Sequence, residues 1–578
     1  MIRMSNLVNG IHTFLQKFRK DLAHSARGAP DGRDPKGQRW KPGHLLGNGV
    51  LGKFSGMRTL RGVEMLSEVS HGDSVGTFGG RRMPDNTLGG MLTVTGDECV
   101  NWLLWKLGHK WHRSRMLEPC QGAMVGAVRP HVVVYDGKTT MQRSDAQPAP
   151  YHRKSTSREV TVNGEKVKEK VDYWAVDTVR AVLASSAAPV CLALKTVREG
   201  DEVGAVQELD QEMMGRYRWF ATGPVLILAD AKHGNKEFLK QQGDPYRELP
   251  KQRQSAAPPD LKAREPSDEG SGSRAESEAE PRHKHYYLLK VKGNAGAIYK
   301  EGMRAAMVKA EREPPEAMTD FENAGHGRHI KREIWRVDTN HGLGIEEGQE
   351  WRLDDLAVAV LSAKDWPTVR QVVLVKQTTR HTGTGKKAQK GEAVEWRLAV
   401  TNIKKKDVTA VSLLRFLRME WTIEVYHNLL DQVMREDDQD WATLGTAPTA
   451  MAGMVSLAAN AVGMLKSRHL RSQGSREHLS YPQLITLVMM VVTGGSIGRI
   501  LDADRTGKDQ AADTHETDEV QLDPAFAKQW SDAELALLLA AIRLLAGFVG
   551  RRLSPHHRSS LTLSIEADGT VSMVLQTE

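Results

Sequence analysis

Short apolar runs and charged turns alternate between His131 and Asp230. HVVVYD (His131 to Asp136) is a β-branched run, VDYWAVDTVRAVLAS alternates with partial period two, and PVCLALKTV is a third run, each bounded by turn or charged residues. All three predict strands. GDEVGAVQELDQEMMGRYRW follows with Val203, Val206, Leu209 and Met213 at helical spacing and Asp201 placed to cap the start, and PVLILAD then predicts a buried strand ending at Asp230. Beyond a polar stretch, YYLLKVKG, HIKREIWRVDT, RQVVLVKQTTR and AVEWRLAVTNI alternate as strands do, and helical periodicity resumes near Val411. The order predicts a mixed α/β core with a β-rich insertion, flanked by helical N- and C-terminal regions.

The polar stretch, Gln241 to His285, is rich in Pro, Ser, Glu and Lys and nearly devoid of aliphatic residues, so it is expected to be a disordered insertion. His381 to Glu392 reads as a long hairpin loop and Asp502 to Leu522 as a linker. Leu484 to Val492, Met451 to Leu465 and Leu535 to Val549 are apolar but shorter than the roughly 20 residues of a membrane span, which predicts buried core helices and no membrane.

Composition changes this picture little. With 578 residues the chain is expected to hold several domains, and a net charge of +8 favours polyanionic partners such as nucleic acid. Cys99, Cys120 and Cys191 lack the close spacing of a zinc site, and the charged, amphipathic N-terminus is no secretory signal, which fits a reducing cytosol.

Chemistry enters through the acids. Asp136 and Asp230 each end an apolar run, and carboxylates at the ends of buried strands are costly to desolvate unless a cation or hydrogen bonds compensate them. In LLRFLRMEWTIEVYHNLLDQVMRED a polar stripe of Glu424, His427, Asp431 and Arg435 lies beside the apolar one at spacings of three, four and four. Turn-capping aspartates and a solvated helix face would read the same way.

Six strings, HVVVYDGKTT, LILADAKHGNKEF, YYLLKVKGN, GHGRHIKRE, DWPTVRQVVLV and EWTIEVYHNLLDQVMRED, resemble in order the signatures of the H-repeat-associated DDE transposases of bacterial insertion sequences, over roughly Arg81 to Arg468. The resemblance implies a ribonuclease-H-like catalytic core interrupted by a β-rich insertion, with Asp136, Asp230 and Glu424 as catalytic acids and metal ligands. It implies two Mg²⁺ ions, or Mn²⁺ in their place, serving phosphodiester hydrolysis at element ends and strand transfer into target DNA. There are departures. Thr140 and Met141 stand where the family usually has Leu and Arg, the spacing from Glu424 to His427 is one residue short, and Glu420 replaces a residue that is often basic.

Lys292 and Asn294 beside Gly293, and Arg328 and Arg332 on the inserted sheet, are read as DNA contacts, together with Lys138 beside the first acid and His427 and Arg435 on the glutamate helix. His109 and His112 in GHKWH have the look of a metal pair without a third ligand, and are read as a partly exposed helical face. The resulting organisation is 1–128 for recognition of DNA ends, 129–240 and 405–475 for the two parts of the core, 241–285 for the disordered insertion, 286–404 for the β-rich subdomain, and 476–578 for a helical region with a terminal hairpin. The expected partner is double-stranded DNA, bound by a homodimer in the bacterial cytosol at the nucleoid. A catalytically silent DNA-binding protein and a ribonuclease-H-like nuclease without joining activity are the rival readings.

Overall fold

The computed structural model describes residues 4–69, 81–162, 165–185, 188–230, 232, 285–293, 296–323, 328–338, 350–352, 360–362, 368–381, 392–436, 444–469, 480–493, 559–565 and 571–577. The expected disordered insertion up to residue 284, the loop at 382–391, the linker at 502–522 and the stretch Leu535 to Val549 lie outside the described residues, as does Asn294.

Four helices open the chain: α1 (Met4–Ser25), α2 (Pro42–Phe54), α3 (Leu60–Val69) and α4 (Asp85–Arg113). Strands β1 (His131–Arg143), β2 (His152–Val162), β3 (Glu165–Leu183) and β4 (Val190–Thr196) follow, then α5 (Glu202–Arg216), α6 (Arg218–Thr222) and β5 (Val225–Ala229). Next come β6 (Tyr286–Val291), α7 (Ala297–Arg312), short strands β7 (Ala317–Met318) and β8 (Glu322–Asn323), β9 (Arg328–Asp338), the pair β10 (Glu350–Arg352) and β11 (Val360–Ser362), then β12 (Gln371–His381) and β13 (Glu392–Thr401). The remaining elements are α8 (Ala410–Glu420), α9 (Thr422–Asn428), α10 (Ala447–His469), α11 (Tyr481–Thr493) and a hairpin of β14 (Ser559–Ile565) and β15 (Val571–Thr577).

The chain divides into two compact units. One comprises residues 1–107, 139–176 and 428–578, the other 108–138 and 177–427. In the first unit, α10 is uncharged from Ala447 to Leu465 and almost wholly buried, since it is apolar around its whole circumference. It is long and apolar enough to cross a membrane, but the qualifying stretch is fully buried inside the protein. Helix α2 packs on it closely, and a Cβ at Gly49 would stand 2.6 Å from the Met454 sulfur. The stretch Leu484 to Val492 likewise lies in α11, with Leu484, Leu487, Val488 and Val492 buried.

The second unit is built on a mixed sheet. Its strands run in the order β4, β3, β1, β5, β6, β13, β12, β9, with β1, β5 and β6 parallel and β6, β13, β12 and β9 antiparallel. Val132 to Tyr135 and Val225 to Ala229 are all buried, which explains why both segments are continuously apolar: parallel strands at the centre of a sheet are covered on both faces. Helix α5 starts where Asp201 Oδ1 accepts a hydrogen bond from Gly204 N at 2.8 Å, and α8 starts where Thr409 Oγ1 accepts one from Ser412 N at 3.1 Å. Phe416 and Leu413 anchor α8 in the core of this unit.

Candidate active site

Strand register assembles the site. Tyr135 pairs with Ala229 across β1 and β5, and Ala229 pairs with Leu289 across β5 and β6. The residues that follow are Asp136, Asp230 and Lys290, in a row where the parallel pairing of the three strands ends. Asp230 lies just past β5, whereas β1 runs on to Arg143, so Asp136 sits within its strand and does not end it as the sequence suggests. At the usual strand separation of about 4.8 Å the two aspartate backbones are immediate neighbours. Asp136 Oδ1 accepts from the adjacent Gly137 N at 2.9 Å within β1, and Asp230 Oδ1 caps the turn after β5 by accepting from Lys232 N at 2.8 Å. Beneath them, the buried Tyr135 hydroxyl donates to Asp210 at 2.8 Å.

The helical segment α8–α9 is tied to this row at two points. Glu420 accepts an ion pair from Lys290 at 2.8 Å, and His427 Nδ1 lies 3.7 Å from Asp136 Oδ2. A break at Trp421 separates the two helices, yet Val425 N still donates to Trp421 O at 3.2 Å, so the helical hydrogen-bond pattern resumes across it. Glu424 stands between the two tied residues, four after Glu420 and three before His427, on an exposed position of the same helical row. Burial raises the pKa of Glu420, Lys290 opposes that, and the charge of Asp230 raises it further. Burial, reinforced by Arg180 and Lys138, drives the His427 imidazole down to about 3, so it is neutral against Asp136.

Other residues expected at the site fall elsewhere. The α-helix stops at Asn428 and a π turn (Leu429–Val433) follows, which takes Asp431 and Arg435 off the 3.6-residue period; Arg435 has φ 51° and belongs to the first unit. Arg332 is engaged inside its sheet, donating from Nε to Gln377 at 3.2 Å with Glu322 3.8 Å away, and burial lowers its pKa. Arg328 opens β9 opposite His381, half-buried. Lys292 is exposed just past β6, and with Arg397 and Lys290 it helps hold the Glu395 carboxyl below its usual range. His112 stacks on Trp219 with centroids 4.9 Å apart, and His109 Nε2 meets the Arg216 carbonyl at 2.9 Å.

Three residues at the site, Lys290, Glu202 and Lys232, are not singled out in the sequence, and Glu420 stands out there only as a departure from the resembled family. Glu202, the first residue of α5, places its carboxylate against β1 at the residue after Asp136, where a Cβ on Gly137 would stand 2.4 Å from its Cδ. The same carboxylate pairs with the Lys232 ammonium. Among the described residues, no three His, Cys, Asp or Glu side chains already converge as a metal cage.

No protein-family model matches the chain, and no curated protein matches it. Among solved structures it is weakly similar to piggyBac transposase in a synaptic complex with hairpin DNA, with 9% identity and a TM-score of 0.32 over 90% of this chain and 87% of that one. A likeness of that size bears neither on the fold nor on the activity of this chain.

Proposed function

We propose that this chain is a DDE-type DNA transposase with a ribonuclease-H-like core, which cuts phosphodiester bonds at the ends of an insertion sequence and joins the freed 3′ hydroxyls to target DNA. The observation that supports this best is the register that sets Asp136 and Asp230 side by side where the parallel pairing of two buried strands ends. The donor set fits a hard divalent ion: two carboxylates side by side, with the oxygens of another, Glu202, lying against Gly137 next to the first. Asp136 and Asp230 would hold Mg²⁺, with Glu424 as the third acid supplied by the helix that His427 and Glu420 tie to the same row. Bound there, such ions activate the attacking oxygen and stabilise the leaving one at phosphorus.

The protein's own groups do the rest. Lys290 offsets the charge of Glu420 beside Asp230, taking up the basic role that the family often gives to the residue at position 420. Neutral His427 fills the space beside Asp136 without competing for its charge. Lys138, two residues past Asp136 on β1, and Lys292, just past β6, would meet phosphate oxygens, and a dimer bridging two DNA ends in the bacterial cytosol is part of the same reading.

The test is nicking of supercoiled plasmid, and joining of a pre-cut duplex with a free 3′ hydroxyl, both in Mg²⁺. D136N and D230N should each lower both rates by at least about a thousandfold while still binding duplex DNA. Wild-type rates in both variants would end the proposal.

A further inference from the structure

Lys232 lies two residues past Asp230, on the turn that the Asp230 carboxylate caps through the Lys232 N–H. Its side chain is 53% exposed, and its ammonium is tied to Glu202, a carboxylate only 18% exposed. Glu202 in turn lies in the space that the missing Cβ of Gly137 leaves open, directly after Asp136. One cation on the turn after Asp230 is thus held by an acid from a third element that lies against the strand residue next to Asp136. Lys290 is committed to Glu420, and Lys138 acts on His427. Lys232 is different, because a half-exposed ion pair is a weak tie that a phosphate can replace.

We infer that Lys232 contacts the scissile phosphate, and that Glu202 is a positioning residue that holds this lysine between the aspartates until DNA arrives. The inference rests on the proposed DNA-cutting activity and adds to it a phosphate ligand with its holder. On DNA binding the ammonium exchanges one oxyanion partner for another, with no bond made or broken. The arrangement also accounts for glycine at 137, since any side chain there would push Glu202 out of place.

The full-length protein tests this with two readouts: the salt dependence of binding to fluorescein-labelled mixed-sequence duplex DNA, and the rate of Mg²⁺-dependent plasmid nicking. K232A should lower the slope of log affinity against log salt by about 0.9, the value of one phosphate contact, and slow nicking at least about tenfold. K232R should restore most of both. E202Q should keep the wild-type slope but slow nicking, and G137A should copy E202Q without removing a charge. Circular dichroism and melting temperature report whether each variant is folded. The inference is overturned if K232A keeps the wild-type slope and rate, or if E202Q and G137A nick like the wild type. D136N, assayed alongside, separates the two levels: if it fails to nick while K232A is normal, only the role of Lys232 falls; if it nicks normally, the transposase reading falls.

Discussion

Two covered carboxylates in the second unit, Glu316 and Glu420, meet cations in similar ways and end in opposite electrostatic states. Arg336 is 9% exposed and grips Glu316 through Nε at 2.9 Å and Nη2 at 2.7 Å, while its Nη1 donates to the Val408 carbonyl at 2.6 Å, and Lys405 adds a second cation 3.4 Å from Glu316. Burial alone would raise the Glu316 pKa, but these cations overcome it and hold the carboxyl below its usual range. Glu420 has one cation, Lys290, and a neighbouring anion, Asp230, and its pKa stays raised. The first cluster has charge to spare for its acid and joins chain segments that are far apart in sequence. The second leaves burial, with the charge of Asp230 added to it, unbalanced by its one cation.

The largest effect should come from R336A, which strands a covered carboxylate and should cost about 3–5 kcal/mol, read as a drop in the denaturant midpoint. Next, E316Q and E420Q should respond to pH with opposite signs. Glu316 has a lowered folded-state pKa, so its contribution is present above the unfolded value near 4.5 and is lost as pH falls through the folded value. The stability gap between wild type and E316Q should therefore close on acidification. Glu420 has a raised pKa, so its contribution is present at low pH and is lost as pH rises through the folded value. E420Q should accordingly gain on the wild type toward neutral pH; equal slopes for both variants would abolish the contrast. The smallest effect concerns His427, whose pKa near 3 lies below the unfolded value of 6.5. Its ring resonances should not titrate between pH 5 and 8, and wild type should lose stability relative to H427Q as pH falls below about 6.5.

The parts of this unit that sequence made legible are those set by local pattern. HVVVYD and PVLILAD look like buried strands because both faces are covered, and Asp201 marks a helix start because it caps one. Strand β2 escaped notice, since HRKSTSREV has no apolar alternation and is held by its register against β3. The glutamate helix read as one continuous element because its apolar period runs on through Leu430 and Val433, although the backbone breaks at Trp421 and turns to a π geometry at Leu429. The site itself was half visible. Each aspartate follows a buried apolar run, as the sequence indicates, but only Asp230 stands at a strand end, because β1 runs on to Arg143. Elements β2, β3, β4, α5 and α6 intervene between β1 and β5, and nothing local says that these two strands pair. Glu202, Lys232, Lys290 and Glu420 acquire meaning only from partners distant in sequence.

The second unit is discontinuous in the chain, starting at Gly108 and closing only at His427. A ribosome adding roughly 5–20 residues per second needs on the order of 15–60 s to pass from β1 to α9, about 300 residues later. Throughout that interval a nascent chain already holds Asp136 and lacks the helix that lies over it. Premature termination anywhere in the intervening stretch therefore releases a fragment that holds Asp136 without the Glu420 and His427 contacts that close over this row.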